Sequence, residues 1–295
     1  MTHLPLLLPP QKQELLERAL ALLAAVPGVQ AVVLGGSYAR GTPRPDSDLD
    51  IGIYYSEAGP FEIEAIRRAA AALSGRTEQE VTGFYGWGTW VNGGGWLHTP
   101  HGKVDFIYRS LEQVEGTIRE AQQGIIRHDF DQQPAYGFYS VIYLAETQAC
   151  LALHDPHGHI ARLKAQVAEF PPLLKHKGSA SMLWLAEFSL LHADGFAAAG
   201  NVYTTAGTLA RAASFMTQAL YLLNETYFMS DKSTLRELAS FARLPTGYIE
   251  RLGAVLGHAG QSAAELTASV GALRGLWSEV VALTDGAYRP AFQVG

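Results

Sequence analysis

Three aspartates and a glycine pair carry the chemistry in this chain. Gly35-Gly36-Ser37 follows directly on an apolar run, Asp48 and Asp50 stand two positions apart after a short loop, and Asp105 sits in Lys103-Val104-Asp105-Phe106-Ile107-Tyr108. Glycines let a ligand approach the main chain and take backbone angles closed to other residues. Ser37 to Arg40 would open a short helix, whose free N–H groups, together with the Ser37 hydroxyl, make a place for a phosphate. Arg40 adds charge-assisted bonds to the same anion. Two carboxylates on one strand face repel each other. Magnesium relieves that repulsion, because it binds a few carboxylates together with substrate phosphate oxygens. Parts in this order suit a protein that holds a nucleoside triphosphate with divalent metal and moves part of it to an acceptor.

The elements that must position these groups are legible nearby. Val29-Gln30-Ala31-Val32-Val33-Leu34 is β-branched and apolar, bounded by Pro27-Gly28 and Gly35-Gly36, and reads as a short buried strand. Gly41-Thr42-Pro43-Arg44-Pro45 is a loop rich in breakers. From Ser47 to Tyr54 the residues alternate, so Asp48 and Asp50 share one face of a strand while Leu49 and Ile51 share the other. Asp105 lies in a short apolar strand pattern, where an unpaired charge would be costly. Pairing of its strand beside the two-acid strand would aim Asp105 at the same metal site. Glu80 and Glu112 are weaker candidates, since each sits in a polar or helical context.

On these residues the chain resembles the DNA polymerase β-type nucleotidyltransferase superfamily, whose signature is a Gly-Ser turn, two nearby acids and a third acid on a later strand. The resemblance spans roughly Val29 to Tyr108. Within the superfamily, the chain is similar to two-domain bacterial enzymes of the kanamycin and aminoglycoside nucleotidyltransferase kind. The stretch from Gly86 to Leu97 further resembles a bacterial subfamily of unassigned substrate. The resemblance implies Gly36 and Ser37, with Gly35, at the triphosphate, Asp48 and Asp50 on magnesium, and Asp105 as metal ligand and base. It also implies that a helical-domain lysine reaches the triphosphate, and Lys232 in Tyr227-Phe228-Met229-Ser230-Asp231-Lys232 is the candidate. Arg211, Tyr221, Asn224 and Tyr227 are its possible neighbours. The expected reaction moves AMP from ATP, with two magnesium ions, to a hydroxyl of a small, aminoglycoside-like acceptor and releases pyrophosphate. Rival readings keep the nucleotide and change the outcome: AMPylation of a protein, or a sensor that binds without turnover.

Composition bounds the setting. The 295 residues suffice for two domains, and 48% of them are hydrophobic, enough for a core in each half. The formal net charge of −6 lacks the basic footprint of a protein whose partner is long DNA or RNA, and suits a small or cationic acceptor better. Cys150 is the one cysteine, so no intrachain disulfide or zinc motif exists, and its apolar surroundings make it a small core residue. The apolar patch Leu4-Pro5-Leu6-Leu7-Leu8 lacks a basic leader and is broken by proline, unlike a signal peptide. No run of about 18 apolar residues appears. A cytoplasmic protein without membrane segments is expected.

The pattern predicts an α+β class: a nucleotidyltransferase domain over residues 1–130 with a small mixed sheet and packed helices, then an all-α bundle over 131–295. Helical spacing covers Gln11–Val26 and Phe61–Leu73, and Ser110 can cap the helix containing Val114 and Ile118. Strand-like pieces lie around Glu80–Phe84 and Thr89–Leu97. From Pro134 onward no strand is expected, and the candidate helices are Tyr136–Leu153, Ile160–Ala168, Ser181–Ala199, Thr208–Phe228, Thr234–Ala242 and Ala263–Leu283. Between Gly83 and Trp96, Phe84, Tyr85, Trp87, Trp90 and Trp96 stand among glycines, either as a wall for an acceptor or base, or as aromatics covering the sheet. His154-Asp155-Pro156-His157-Gly158-His159 has irregular spacing and reads as a loop rather than a metal site. Arg251 and His258 have the spacing of helical ribonuclease domains, but Gly253 and Gly257 weaken the helix that would align them.

Overall fold

The computed structural model describes residues 8–76 and 80–292. The apolar patch before Leu8 lies outside the described residues. Two compact units emerge: one comprises residues up to Arg119 together with Tyr143–Glu169, the other Glu120–Ile142 and Phe170 onward.

The first unit begins with helix α1 (Pro10–Ala24), started by a proline in its first turn, where a missing N–H costs nothing. Strand β1 (Val29–Leu34), the single-turn helix α2 (Gly36–Ala39), strand β2 (Leu49–Tyr55) and helix α3 (Ile63–Ser74) follow. Gly75, in the left-handed conformation, ends α3. Next come β3 (Gly94–Thr99), β4 (Gly102–Ser110) and α4 (Leu111–Gln122), whose last turn passes into the second unit. The Ser110 hydroxyl accepts from the Gln113 N–H at 3.2 Å, the cap expected from the sequence.

The sheet order is β3-β4-β2-β1-β7, with β7 at Leu151–His154. β2 and β4 run parallel, and the other neighbours are antiparallel. Alternation along the strands makes two faces. Leu49, Ile51 and Ile53 of β2 and Val104, Phe106 and Tyr108 of β4 enter one core with Leu15, Leu16, Ala19 and Leu23 of α1 and Ile66, Ala70 and Leu73 of α3. Asp50 and Asp105, neither of them fully buried, occupy the opposite face.

The helix expected over Tyr136–Leu153 is broken into three pieces. Phe138–Tyr139 forms β6, paired with β5 (His128–Asp129), and α5 is confined to Ile142–Ala149. Leu151–His154 then joins the sheet beside β1. Short apolar runs fit a buried helix and a strand alike, and here the open edge of β1 decides. The strand pieces of the aromatic stretch also shrink: β3 starts at Gly94, and Val81 makes one isolated bridge to Gly95. Helix α6 (His159–Val167) closes this unit.

The second unit is a bundle. A π-turn (Leu174–Gly178) runs into α7 (Ser179–Ala198), followed by α8 (Val202–Leu223), a 3-10 turn (Asp231–Ser233), α9 (Thr234–Leu238), α10 (Tyr248–Gly257) and α11 (Ala263–Ala282). Asn201 caps α8, and a reciprocal Ser262–Glu265 capping box starts α11. α8 stops at Leu223 rather than running to Phe228, because the Asn224 side chain turns the chain by bonding the Leu220 and Arg243 carbonyls. Glu187 of α7 is fully buried and accepts from the Tyr288 hydroxyl and from the backbone N–H groups of Ala291 and Phe292. The α+β class is as expected: a mixed sheet with helices, then helices. No helix among the described residues is long and apolar enough to cross a membrane.

Candidate active site

The candidate site forms where α2 and the starts of β2 and β4 meet. Gly35 follows β1 and donates its N–H to the Asp50 carbonyl at 2.8 Å, so the turn is tied to the acid-bearing strand. Gly36 has φ +58°, and a β-carbon there would lie 1.7 Å from Asp50 Oδ2. Only glycine satisfies both constraints. The Asp50 carboxylate therefore rests directly on the glycine turn.

α2 is four residues long, so the N–H groups of Gly36, Ser37 and Tyr38 have no acceptor within the helix. Gly36 and Ser37 are half-buried, and Arg40, at the C-cap, returns its N–H to the Gly36 carbonyl. Thr42 N–H closes on the Ser37 carbonyl at 3.0 Å, which holds the turn compact.

Asp50 and Asp105 are direct partners in the parallel register of β2 and β4. Their side chains leave the sheet on the same face, one strand spacing of about 4.8 Å apart. Asp48 lies one residue before β2 and is half-buried. Among the described residues no three carboxylate, imidazole or thiol side chains are gathered closely enough to hold a metal ion by themselves. The donor set nevertheless fits magnesium, which takes one or two carboxylates and completes its octahedron with water and substrate phosphate oxygens. Carboxylates beside a turn whose first N–H groups lack helical acceptors are the donors such a shared site would require.

The face around the acids is braced by a buried ion pair absent from the sequence reading. Arg109 of β4 is 5% exposed and holds Glu146 of α5 through Nε and Nη2, both at 2.8 Å. Its guanidinium also lies 5.1 Å from the centre of the Tyr143 ring. Burial opposes the Arg109 charge, but the charge and hydrogen bond of the facing Glu146 carboxylate, together with Tyr143 and Tyr54, outweigh it and raise the guanidinium pKa. Arg109 lies four positions after Asp105, so the pair clamps β4 on the face that bears the acids. The only signal in the sequence was an arginine within an apolar strand.

Glu112 lies outside this cluster. It accepts from the Ser56 hydroxyl at 2.5 Å and the Glu57 N–H at 3.0 Å. Burial works against its charge, but these hydrogen bonds prevail and hold its pKa below the usual range. It is a loop anchor.

Lys232 belongs to the second unit. It is exposed on the 3-10 turn after α8 and donates its N–H to Ser230 Oγ at 3.1 Å. Tyr221 donates its hydroxyl to Glu237, and Asn224 is spent on the end of α8. His154 falls on β7 and His159 at the start of α6. The helix between Arg251 and His258 does form, despite its glycines, but Arg251 is held by Glu279 at 2.7 and 2.9 Å. That ion pair commits the arginine a nuclease would need.

Residues 13–81 match the family model described as nucleotidyltransferase domain. The match takes in Gly36, Ser37, Asp48 and Asp50 and stops short of Asp105. The chain thus contains a nucleotidyltransferase domain. A nucleotidyltransferase-like protein from Exiguobacterium sibiricum 255-15, solved at 1.90 Å, shares the fold over 94% of this chain and 78% of its own, with 9% sequence identity and a TM-score of 0.50. No curated protein matches the chain in sequence.

Proposed function

We propose that the chain transfers a nucleoside monophosphate, AMP from ATP, to a hydroxyl group of a small acceptor and releases pyrophosphate. The observation that carries this reading is the contact of Gly36 with Asp50 beside Asp105: a glycine turn and two carboxylates converge on one sheet face.

The Gly36, Ser37 and Tyr38 N–H groups and the Ser37 hydroxyl bind the β- and γ-phosphates, with Arg40 as a further cation. Asp48, Asp50 and Asp105 would hold magnesium together with the triphosphate. Magnesium held by these residues would supply charge to neutralise the phosphates and to acidify the attacking hydroxyl. Asp105 accepts the hydroxyl proton. The acceptor oxygen forms its bond to the α-phosphorus as the bond to the bridging oxygen breaks, and pyrophosphate leaves with that electron pair.

The test incubates the chain with labelled ATP, magnesium and a panel of aminoglycosides, sugars and nucleosides. Label on a small molecule with stoichiometric pyrophosphate is expected, and Asp50→Asn should abolish both. Wild-type turnover in Asp50→Asn, or label on protein bands alone, would overturn the assignment.

A further inference from the structure

Trp96 shares a cross-strand row with the two acids. It is the antiparallel partner of Asp105, Asp105 is the parallel partner of Asp50, and the Asp50 carbonyl takes the Gly35 N–H. Across the sheet the order is therefore Gly35, Asp50, Asp105, Trp96. Directly paired residues point to one face, so the indole rises beside the carboxylates, two strand spacings or about 10 Å from Asp50.

This indole is 55% exposed. One of its faces is stacked on Trp87, with centroids 4.7 Å apart and planes 19° apart. Trp87 reaches that position because residue 94 is glycine: a β-carbon there would meet the Trp87 ring at 2.9 Å and the Phe106 carbonyl at 1.8 Å.

The loop that delivers Trp87 is fixed from below. Three successive carbonyls are taken by side chains: Thr89 by Gln113 Nε2 at 2.8 Å, Trp90 by the Tyr143 hydroxyl at 2.5 Å, and Val91 by Arg109 Nη1 at 3.0 Å. Asn92 is wholly buried, donates to the Tyr55 hydroxyl and accepts the Tyr85 N–H, both at 2.9 Å. The Phe61, Phe84 and Tyr108 rings pack together on the opposite, core face of the sheet, so the half-exposed Trp96 on its rigid mount is not part of that core. A preset aromatic surface is what ligand binding favours, since little side-chain freedom is left to lose.

Displacement at phosphorus is in line, so leaving group and attacking oxygen lie on opposite sides of the α-phosphorus. With pyrophosphate at the Gly36–Ser37 end, the attacking hydroxyl comes from the far end of the row. We infer that the Trp96–Trp87 pair is the platform for a ring-bearing acceptor, which lies on the exposed indole with its hydroxyl toward Asp105; the inference rests on the nucleotidyl-transfer reading. Rings stack on tryptophan, and an amine on the ring would gain further from the indole face.

The full chain labelled with 5-fluorotryptophan tests this, with Trp96→Phe and Trp87→Phe used to assign the two fluorine signals. Probes are α,β-methylene-ATP with magnesium, four rings bearing hydroxyls (kanamycin, glucose, inositol, uridine) and two acyclic controls (glycerol, serine). At least one ring should shift the Trp96 signal while the nucleotide and acyclic probes do not, and Trp96→Ala should weaken that ring about tenfold with nucleotide affinity unchanged. The inference is overturned if no ring shifts Trp96, or if the nucleotide does so and loses affinity in Trp96→Ala, which would make the platform a base site. Pyrophosphate release by Asp50→Asn, measured separately, decides the transfer reading itself.

Discussion

Asp50 Oδ2 stands where the β-carbon of residue 36 would be in any amino acid but glycine. The glycine turn and the strand that presents the Asp50 carboxylate are thereby built as one object. Neither can shift without the other, because the Gly35 N–H also holds the Asp50 carbonyl.

Gly36→Ala should therefore damage both stability and activity. Positive φ at a non-glycine and the clash with Asp50 together cost roughly 2–4 kcal/mol. Urea denaturation reads the first effect, and pyrophosphate release from ATP reads the second. The neighbouring Gly35→Ala meets only ordinary contacts, 3.7 Å to the Asp50 carbonyl oxygen, and should be far milder. Equal damage from the two substitutions would contradict the packing described for Gly36.

Arg109→Met leaves Glu146 without its cation, and about 3 kcal/mol of stability should go with it, the lower end for a broken buried pair because the Glu146 side chain is 32% exposed. Arg109→Lys should not restore it, since an ammonium cannot reproduce the two-pronged contact. Pairing Arg109→Met with Glu146→Gln should recover part of the loss. The measurement is a double-mutant cycle by denaturant melting, and strict additivity would show that the two side chains do not interact.

Cys150 supplies a pH dependence. Burial, with Glu146 adding and Lys164 opposing, pushes its thiol from 9.0 up to about 11. The unfolded chain gives up this proton at lower pH than the folded one, so the stability it contributes is intact below pH 9 and lost as pH rises toward 11. Between pH 8 and pH 10.5 the wild type should lose about 2 kcal/mol more than Cys150→Ala. At pH 8 iodoacetamide should react with the native thiol about a hundredfold more slowly than with the unfolded one, from the thiolate fraction alone. Fast native alkylation, or parallel pH profiles in the two proteins, would refute the buried thiol.

Local signals were enough for the parts of the site that are close in sequence. Gly35-Gly36-Ser37 after a β-branched run and Asp48-Leu49-Asp50-Ile51 in alternation give a strand, a turn and a second strand, because glycine angles and side-chain periods are properties of the chain itself. The same holds for α1, α3 and α11, whose apolar stripes lie within one helix. The sequence placed Asp105 on a strand, yet only the parallel register of β4 against β2 sets it opposite Asp50. Register is decided by which apolar faces pack, here Val104 and Phe106 beside Leu49 and Ile51 over α1 and α3, and no short window contains that information. Four residues at 151–154 became an edge strand for the same reason: their apolar run was compatible with helix, and the unpaired edge of β1 made the choice. The Arg109–Glu146 clamp and the Trp96 row likewise join residues distant in the chain, so they exist only once the sheet has assembled.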